Sequence, residues 1–200
     1  MDFLFVDFLN SEFRDFRGRW QEDRLLQPQW FADFCARRGF RLASPPDAAI
    51  LADFIRARAH LRGMAEKIAG GQQLSFADLG LLNSLQVSTP VTRQLIREEQ
   101  HYRQELVPLQ KDWSWVQAEI AASFAEFLTD HDLRRLKICA NAHCRAFFYD
   151  ESKNRTATLC SEKCSNLLKA QRFRARQPRK TTQSQQTSNA STEQLEPPQQ

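Results

Sequence analysis

Four cysteines near one end of the chain, Cys139, Cys144, Cys160 and Cys164, have the type and spacing that most directly imply chemistry. They follow the pattern C-x4-C-x15-C-x3-C. Two short-range cysteine pairs separated by a loop of this length suit one structural zinc ion, which prefers four tetrahedral thiolate or imidazole ligands. Residues 139–144 make a tight loop able to aim two sulfurs inward. Cys160 and Cys164 stand at i and i+4, on one face of a helix's first turn. Unsatisfied N–H groups and the helix dipole favour thiolate there. Four cysteine ligands leave no open coordination position, so the site reads as structural and not catalytic. His143 lies between the ligands in sequence and reads as a surface histidine while all four thiols are present. A segment of about 45 residues buries little core, so a metal must hold it together.

The cysteine count supports metal over disulfides. There are five, an odd number, and four are clustered, which in a reducing compartment favours a metal site. The fifth, Cys35, sits in an aromatic-rich run and reads as a buried small hydrophobe.

The elements that must position these sulfurs can be read around them. Ala146 to Tyr149 is a short aromatic strand, residues 150–155 a polar turn, and Thr156 to Leu159 a return strand. A helix then starts near Ser161. Knuckle, hairpin and ligand-bearing helix together describe a treble-clef-like finger. The helix continues through Lys169, Arg172, Arg174 and Arg176, of which Lys169, Arg172 and Arg176 share a face at i, i+3 and i+7. Arg179 and Lys180 add charge. Such a stripe can follow the phosphates of a nucleic acid.

Charge is divided unevenly. Residues 134–180 hold 13 Lys/Arg against 3 Asp/Glu, whereas residues 1–133 hold 15 against 19. A mildly acidic body therefore carries a strongly basic end, as in a sensor or scaffold with a polyanion-binding module. No apolar run approaches the ~20 residues needed to span a bilayer. The opening Met1 to Phe8 has acids where a secretion signal would have bases, so a cytoplasmic protein with no membrane partner is expected.

Residues 1–133 read as mainly helical. Phe3 to Leu9 fits a helix or a strand. Gln29 to Arg38 is helical, with Gly39 as its stop. Pro45-Pro46-Asp47 starts a long helix that Gly70-Gly71 ends. Ser75 to Asp78 resembles a capping box for the next helix. Residues 91–109 fit either a helix or paired strands. Ser114 to Leu128 is the clearest helix, with Trp115, Ile120, Phe124, Phe127 and Leu128 on one side. Pro178 to Gln200, rich in Gln, Ser, Thr and Pro, should be disordered.

Leu136 to Asn141 through Cys144, then Phe147-Phe148-Tyr149-Asp150, Ser152, Asn154-Arg155 and Cys160-Ser161, resemble the CGNR zinc finger family. Leu4 to Ser11, and Asp23 to Gly39 with Trp30, resemble the ABATE-like domain that precedes this finger. The resemblance spans about 175 residues. It implies a mainly α protein: a helical ligand-binding domain over 1–133, a treble-clef-like finger with a basic helix over 134–177, and a tail over 178–200. It further implies a bacterial transcriptional regulator whose finger binds DNA. The chain departs from the family at the last ligand, where Cys-Gly-Asn-Arg is replaced by Cys164-Ser165-Asn166-Leu167. Gln171 and Phe173 stand where Arg and His are common. The metal site is thus complete while the DNA-facing part is altered.

The leading expectation is a zinc-finger transcriptional regulator that binds DNA through Lys169, Arg172, Arg174 and Arg176, with a helical domain that could sense a small-molecule effector. Asp7 and Asn10, polar residues in an apolar opening, are the candidates for lining a ligand pocket, and they equally fit a cap or a satisfied buried pair. The alternative is a zinc-stabilised protein-interaction module that no longer reads DNA, motivated by Leu167, Leu168 and Phe173. Catalysis is not expected: His60, His101 and His131 are scattered, with no nucleophile–base pair or phosphate loop. Recognition of a palindromic site would need a homodimer.

Overall fold

The computed structural model describes residues 2–176. The tail expected to be disordered, with Arg179 and Lys180, lies outside the described residues.

Helix α1 (Leu4–Leu9) is short, yet Phe5, Phe8 and Leu9 are completely enclosed. Their i, i+3, i+4 spacing decides the helix-or-strand ambiguity, because only a helix aims all three at one core. The chain then turns through a small hairpin that periodicity did not announce, β1 (Glu12–Arg14) against β2 (Gln21–Asp23). Helix α2 (Pro28–Arg37) begins on proline, whose missing N–H costs nothing at a helix start. It ends in a Schellman motif: Phe40 N–H reaches Cys35 O at 2.8 Å and Gly39 N–H reaches Ala36 O at 3.2 Å. Gly39 takes φ +75°, which a side chain would oppose.

Helix α3 (Ala48–Ala69) is capped by Asp47, which accepts from Ile50 N–H at 2.8 Å. It buries Phe54, Ala57, Leu61, Met64, Ala65 and Ile68 along one stripe. Arg58 lies on that stripe and is only 4% exposed. It donates to Ser11 Oγ at 2.8 Å and grips both carboxylate oxygens of Asp23, so the buried charge is paired. Helix α4 (Phe76–Val87) starts on the expected Ser75–Asp78 capping box. Lys67 of α3 also donates to Asp78, at 2.7 Å, and together with the Ser75 bonds lowers that carboxyl to about 2.

Residues 91–109 form paired strands. Strand β3 (Val91–Glu98) runs antiparallel to β4 (His101–Pro108), and the ribbon is largely exposed. Helix α5 (Trp113–Asp130), capped by Asp112, buries Val116, Ile120, Ala121, Phe124 and Phe127. Phe124 and Phe127 pack on Phe5 of α1, with ring centroids 4.8 and 5.2 Å apart.

The last elements are β5 (Leu136–Ile138), β6 (Phe147–Tyr149) and α6 (Glu162–Arg176). The return strand read from Thr156 to Leu159 does not form. Strand β6 pairs instead with β5, Ile138 opposite Phe147 and Leu136 opposite Tyr149. The reason is burial: Leu136 and Phe147 are 1% and 2% exposed within the core of the helical body, whereas Thr156 and Thr158 are exposed. Residues 156–159 lie beside the first cysteine loop, where Ala140 N–H donates to Thr158 O at 2.8 Å.

The finger and the helical body thus share one core. Asn10 holds the junction with both ends of its amide: Nδ2 donates to Phe147 O and Oδ1 accepts from Phe147 N–H, each at 2.9 Å. Phe3 packs edge-on against Tyr149, and the Arg62 guanidinium lies 5.1 Å above the Phe147 ring. Removing zinc should therefore destabilise the helical body as well as the finger. We expect a chelator to lower the melting temperature of α-helical circular dichroism in a single transition. Phe147→Ala should cost about 3–5 kcal/mol in the zinc-loaded protein. A body that melts unchanged in the chelator would show that the shared core is not cooperative.

Candidate metal centre and basic helix

Cys139 and Cys144 sit at either end of the loop joining β5 to β6. Cys139 N–H donates to Ala146 O at 2.8 Å, and Cys144 N–H donates to Asn141 O at 3.0 Å. Arg145 closes the loop in a left-handed conformation, φ +50°. Cys160 immediately precedes α6 and Cys164 is in its first turn, where Ser161 Oγ accepts from Cys164 N–H at 3.5 Å. All four sequence-assigned cysteines converge, with Sγ atoms within 4.8 Å of one another.

Donor set and spacing both fit zinc. Tetrahedral ligands at Zn–S ~2.3 Å stand about 3.8 Å apart. The Cys144–Cys160 and Cys160–Cys164 sulfur separations are 3.6 and 3.9 Å. Charge argues the same way. A hydrogen bond from Cys160 draws the Cys144 thiol down to about 5, and that contact pushes Cys160 up. Burial, together with its neighbours, raises Cys164. Thiolate at Cys144 thus opposes ionisation of Cys160 and Cys164, and a cation is what lets thiolates gather in one site. His143 is exposed and outside the set.

Two features around the sulfurs escaped the sequence reading. Asn141, 2% exposed, donates from Nδ2 to Phe16 O at 2.7 Å and lies 3.5 Å from Cys164 Sγ, while its Oδ1 accepts from His143 N–H at 3.2 Å. It ties metal ligand, cysteine loop and helical body together. An asparagine two residues after a cysteine carried the signal, since this side chain satisfies turn backbone. The β1–β2 turn supplies Phe16 and places Gly18 against His143. A Cβ on Gly18 would lie 2.4 Å from the imidazole Nδ1, and φ is +74°. Arg19 donates to Asp15 within this turn at 2.8 Å, holding the Asp15 carboxyl below its ordinary range.

The basic residues separate into two groups. Arg134, Arg135 and Arg155 converge on Asp132; the Arg134 hydrogen bond foremost, with the charges of Arg134 and Arg155, lowers its carboxyl to about 2. Lys137 donates to Asp150 at 2.5 Å and to the carbonyls of Arg155 and Ala157. Burial opposes the Asp150 charge, but the bonds from Lys137 and Ser152 outweigh it and keep the carboxyl well below its usual range. These cations brace the finger. Arg145, Lys153, Lys163, Lys169, Arg172, Arg174 and Arg176 are exposed and make no ion pair among the described residues. The four residues assigned to nucleic acid thus lie together on the outer part of α6.

Asp7 and Asn10 do not line the apolar cavity of this molecule. Asp7 meets Arg38 at 3.3 Å and Arg37 at 3.8 Å, and Asn10 is occupied by Phe147. This apolar cavity, of about 350 Å³, lies elsewhere, walled by Leu25, Phe31, Cys35, Phe40, Leu51 and Trp113 among others. Burial raises the Cys35 thiol to about 11, so it is an inert wall residue.

A helical body fused through a shared core to a four-cysteine finger defines a zinc-finger protein with a resident helical domain. The chain belongs to the ABATE family, described as a putative stress-induced transcription regulator, which matches residues 2–131. The CGNR zinc finger follows at residues 135–177. No curated protein matches the chain. Among the described residues, no helix is long and apolar enough to cross a membrane.

Asn141→Ala should weaken zinc binding by about 10- to 100-fold, as loss of a group supporting a metal ligand typically does. Competition with a chromogenic chelator measures this directly, and an unchanged affinity would leave Asn141 a purely structural tie.

Proposed function

We propose that the protein is a DNA-binding regulator in which the zinc-held finger presents α6 to the phosphate backbone. The observation that carries this reading is the division of cations. Arg134, Arg135, Lys137 and Arg155 are held by Asp132 and Asp150, while Lys169, Arg172, Arg174 and Arg176 are exposed on α6 and make no ion pair among the described residues. Such a cluster supplies affinity through counterion release and does not by itself specify sequence. The protein-interaction alternative loses ground because Leu167 and Leu168 are half-buried. Of the three residues that motivated it, only Phe173 stands well exposed, at 65%. In this reading the protein binds and regulates and is not an enzyme.

Zinc-loaded protein should bind mixed duplex DNA, with log affinity falling linearly against log salt. Replacing Lys169, Arg172 and Arg176 by alanine should flatten that slope by about 0.9 per lost phosphate contact. Cys160→Ser should abolish binding. Binding that survives loss of the finger, or none at low salt, would refute the reading.

The effector site in this proposal is the apolar cavity, not Asp7 and Asn10. Its lining fits an uncharged aromatic or aliphatic molecule. Leu25 in its wall follows directly on β2, whose hairpin turn carries Phe16 and Gly18 to the metal centre. Ala32→Phe should fill the cavity and abolish the melting-temperature rise given by an uncharged hydrophobic fluorophore such as N-phenyl-1-naphthylamine, with helix content unchanged. Undiminished stabilisation in that variant would remove the cavity from the proposal.

A further inference from the structure

The β3–β4 ribbon has no partner among the described residues. Its strands pair only with each other, yet it exposes Leu95 by 68%, Tyr102 by 69% and Leu106 by 61%. An isolated two-stranded ribbon is marginal in water, and a long unpaired edge is a template for another strand.

The ladder fixes which groups that edge offers. Leu109 N–H donates to Pro90 O at 3.0 Å, and bonded and non-bonded pairs alternate from there along the register. Val107, Glu105 and Arg103 therefore bond inward to Thr92, Gln94 and Ile96. Tyr102, Gln104 and Leu106 hold their N–H and C=O groups outward. Pro108, with no N–H, sits on the same edge and ends it.

We infer that a second copy of this chain covers this edge, through antiparallel pairing of β4 with β4 about a two-fold axis at Gln104. This register sets Gln104 opposite Gln104, Tyr102 opposite Leu106, and Arg103 opposite Glu105, the last two twice by symmetry. Aromatic–aliphatic and opposite-charge cross-strand pairs are both favourable. Neighbouring registers that keep the backbone groups aligned centre on Arg103 or Glu105 and bring like charges together. The β3 edge lacks this self-complementarity, since no aligned register pairs opposite charges within the strand: centred on Leu95 it opposes Arg93 to Arg97, and centred on Gln94 or Ile96 it sets Arg93 or Arg97 opposite Leu95. The product is a four-stranded sheet joining two protomers by about six backbone hydrogen bonds. The contact is small, so the dimer is reversible in the micromolar range. It is independent of the DNA reading, and it presents two basic helices from one assembly.

Sedimentation velocity of the zinc-loaded full chain across a concentration series, without DNA, tests this. The expected result is a monomer–dimer equilibrium that Arg103→Glu or Glu105→Arg weakens at least tenfold. Mixing the two variants should restore dimers. One chain then carries acids at both positions 103 and 105 and the other carries bases, so every contact between these positions again joins opposite charges. Gln104→Pro should abolish pairing while leaving circular dichroism and the melting temperature near those of the parent. A strict monomer at hundreds of micromolar, a dimer insensitive to Gln104→Pro and to both charge reversals, or a mixture that stays monomeric would each overturn the inference.

Discussion

The insertion of Phe147 into the helical core, with its backbone held at both ends by Asn10, is the contact on which the molecule's organisation depends. A module of this size has too little apolar surface to fold by burial alone. Zinc gathers its four sulfurs, but a metal site fixes only the loops around it. Phe147 and Leu136 orient that site relative to the body, because both are enclosed within the core that α1, α3 and α5 build. The finger is therefore not a bead on a linker: it shares its core with the helical body.

That coupling gives the body a physical route to the finger. The β1–β2 turn lies between them, touching Asn141 through Phe16 O, while Asn141 touches Cys164. Any ligand that shifted the turn would move a group in contact with a zinc ligand. Proximity alone is not coupling energy, but the contacts are continuous, and the body needs no moving linker to reach α6.

Electrostatics makes a similar division of labour. A segment that is strongly basic by count becomes, once folded, an internally braced base and an outer helix whose cations make no ion pair among the described residues. Asp132 and Asp150 are the cause, since the first collects Arg134, Arg135 and Arg155 and the second Lys137, cations that would otherwise add to the surface field. The change from the family's Cys-Gly-Asn-Arg to Cys164-Ser165-Asn166-Leu167 falls at the start of that helix, where Leu167 is half-buried.

The cysteine spacing by itself determined the metal, its ligands and their placement on a knuckle and a helix start, because thiolate coordination is a local constraint. Caps and stops were local as well: Asp47, the Ser75–Asp78 box and Gly39 act through bonds within a few residues, and helices α2 to α5 formed where periodicity placed them. Pairing was not local. The sequence left residues 91–109 open and put the partner of β6 at Thr156–Leu159, because strand choice depends on which residues find a distant core. The sequence left Asn10 and Asp7 open between pocket lining, a cap and a buried pair, because nothing near them in sequence reveals Phe147, 137 residues away, or Arg38. Which cations face solvent, where the cavity lies and which strand edge stays bare were likewise decided only by tertiary structure, since each depends on groups far apart in the chain competing for the same burial and the same charge.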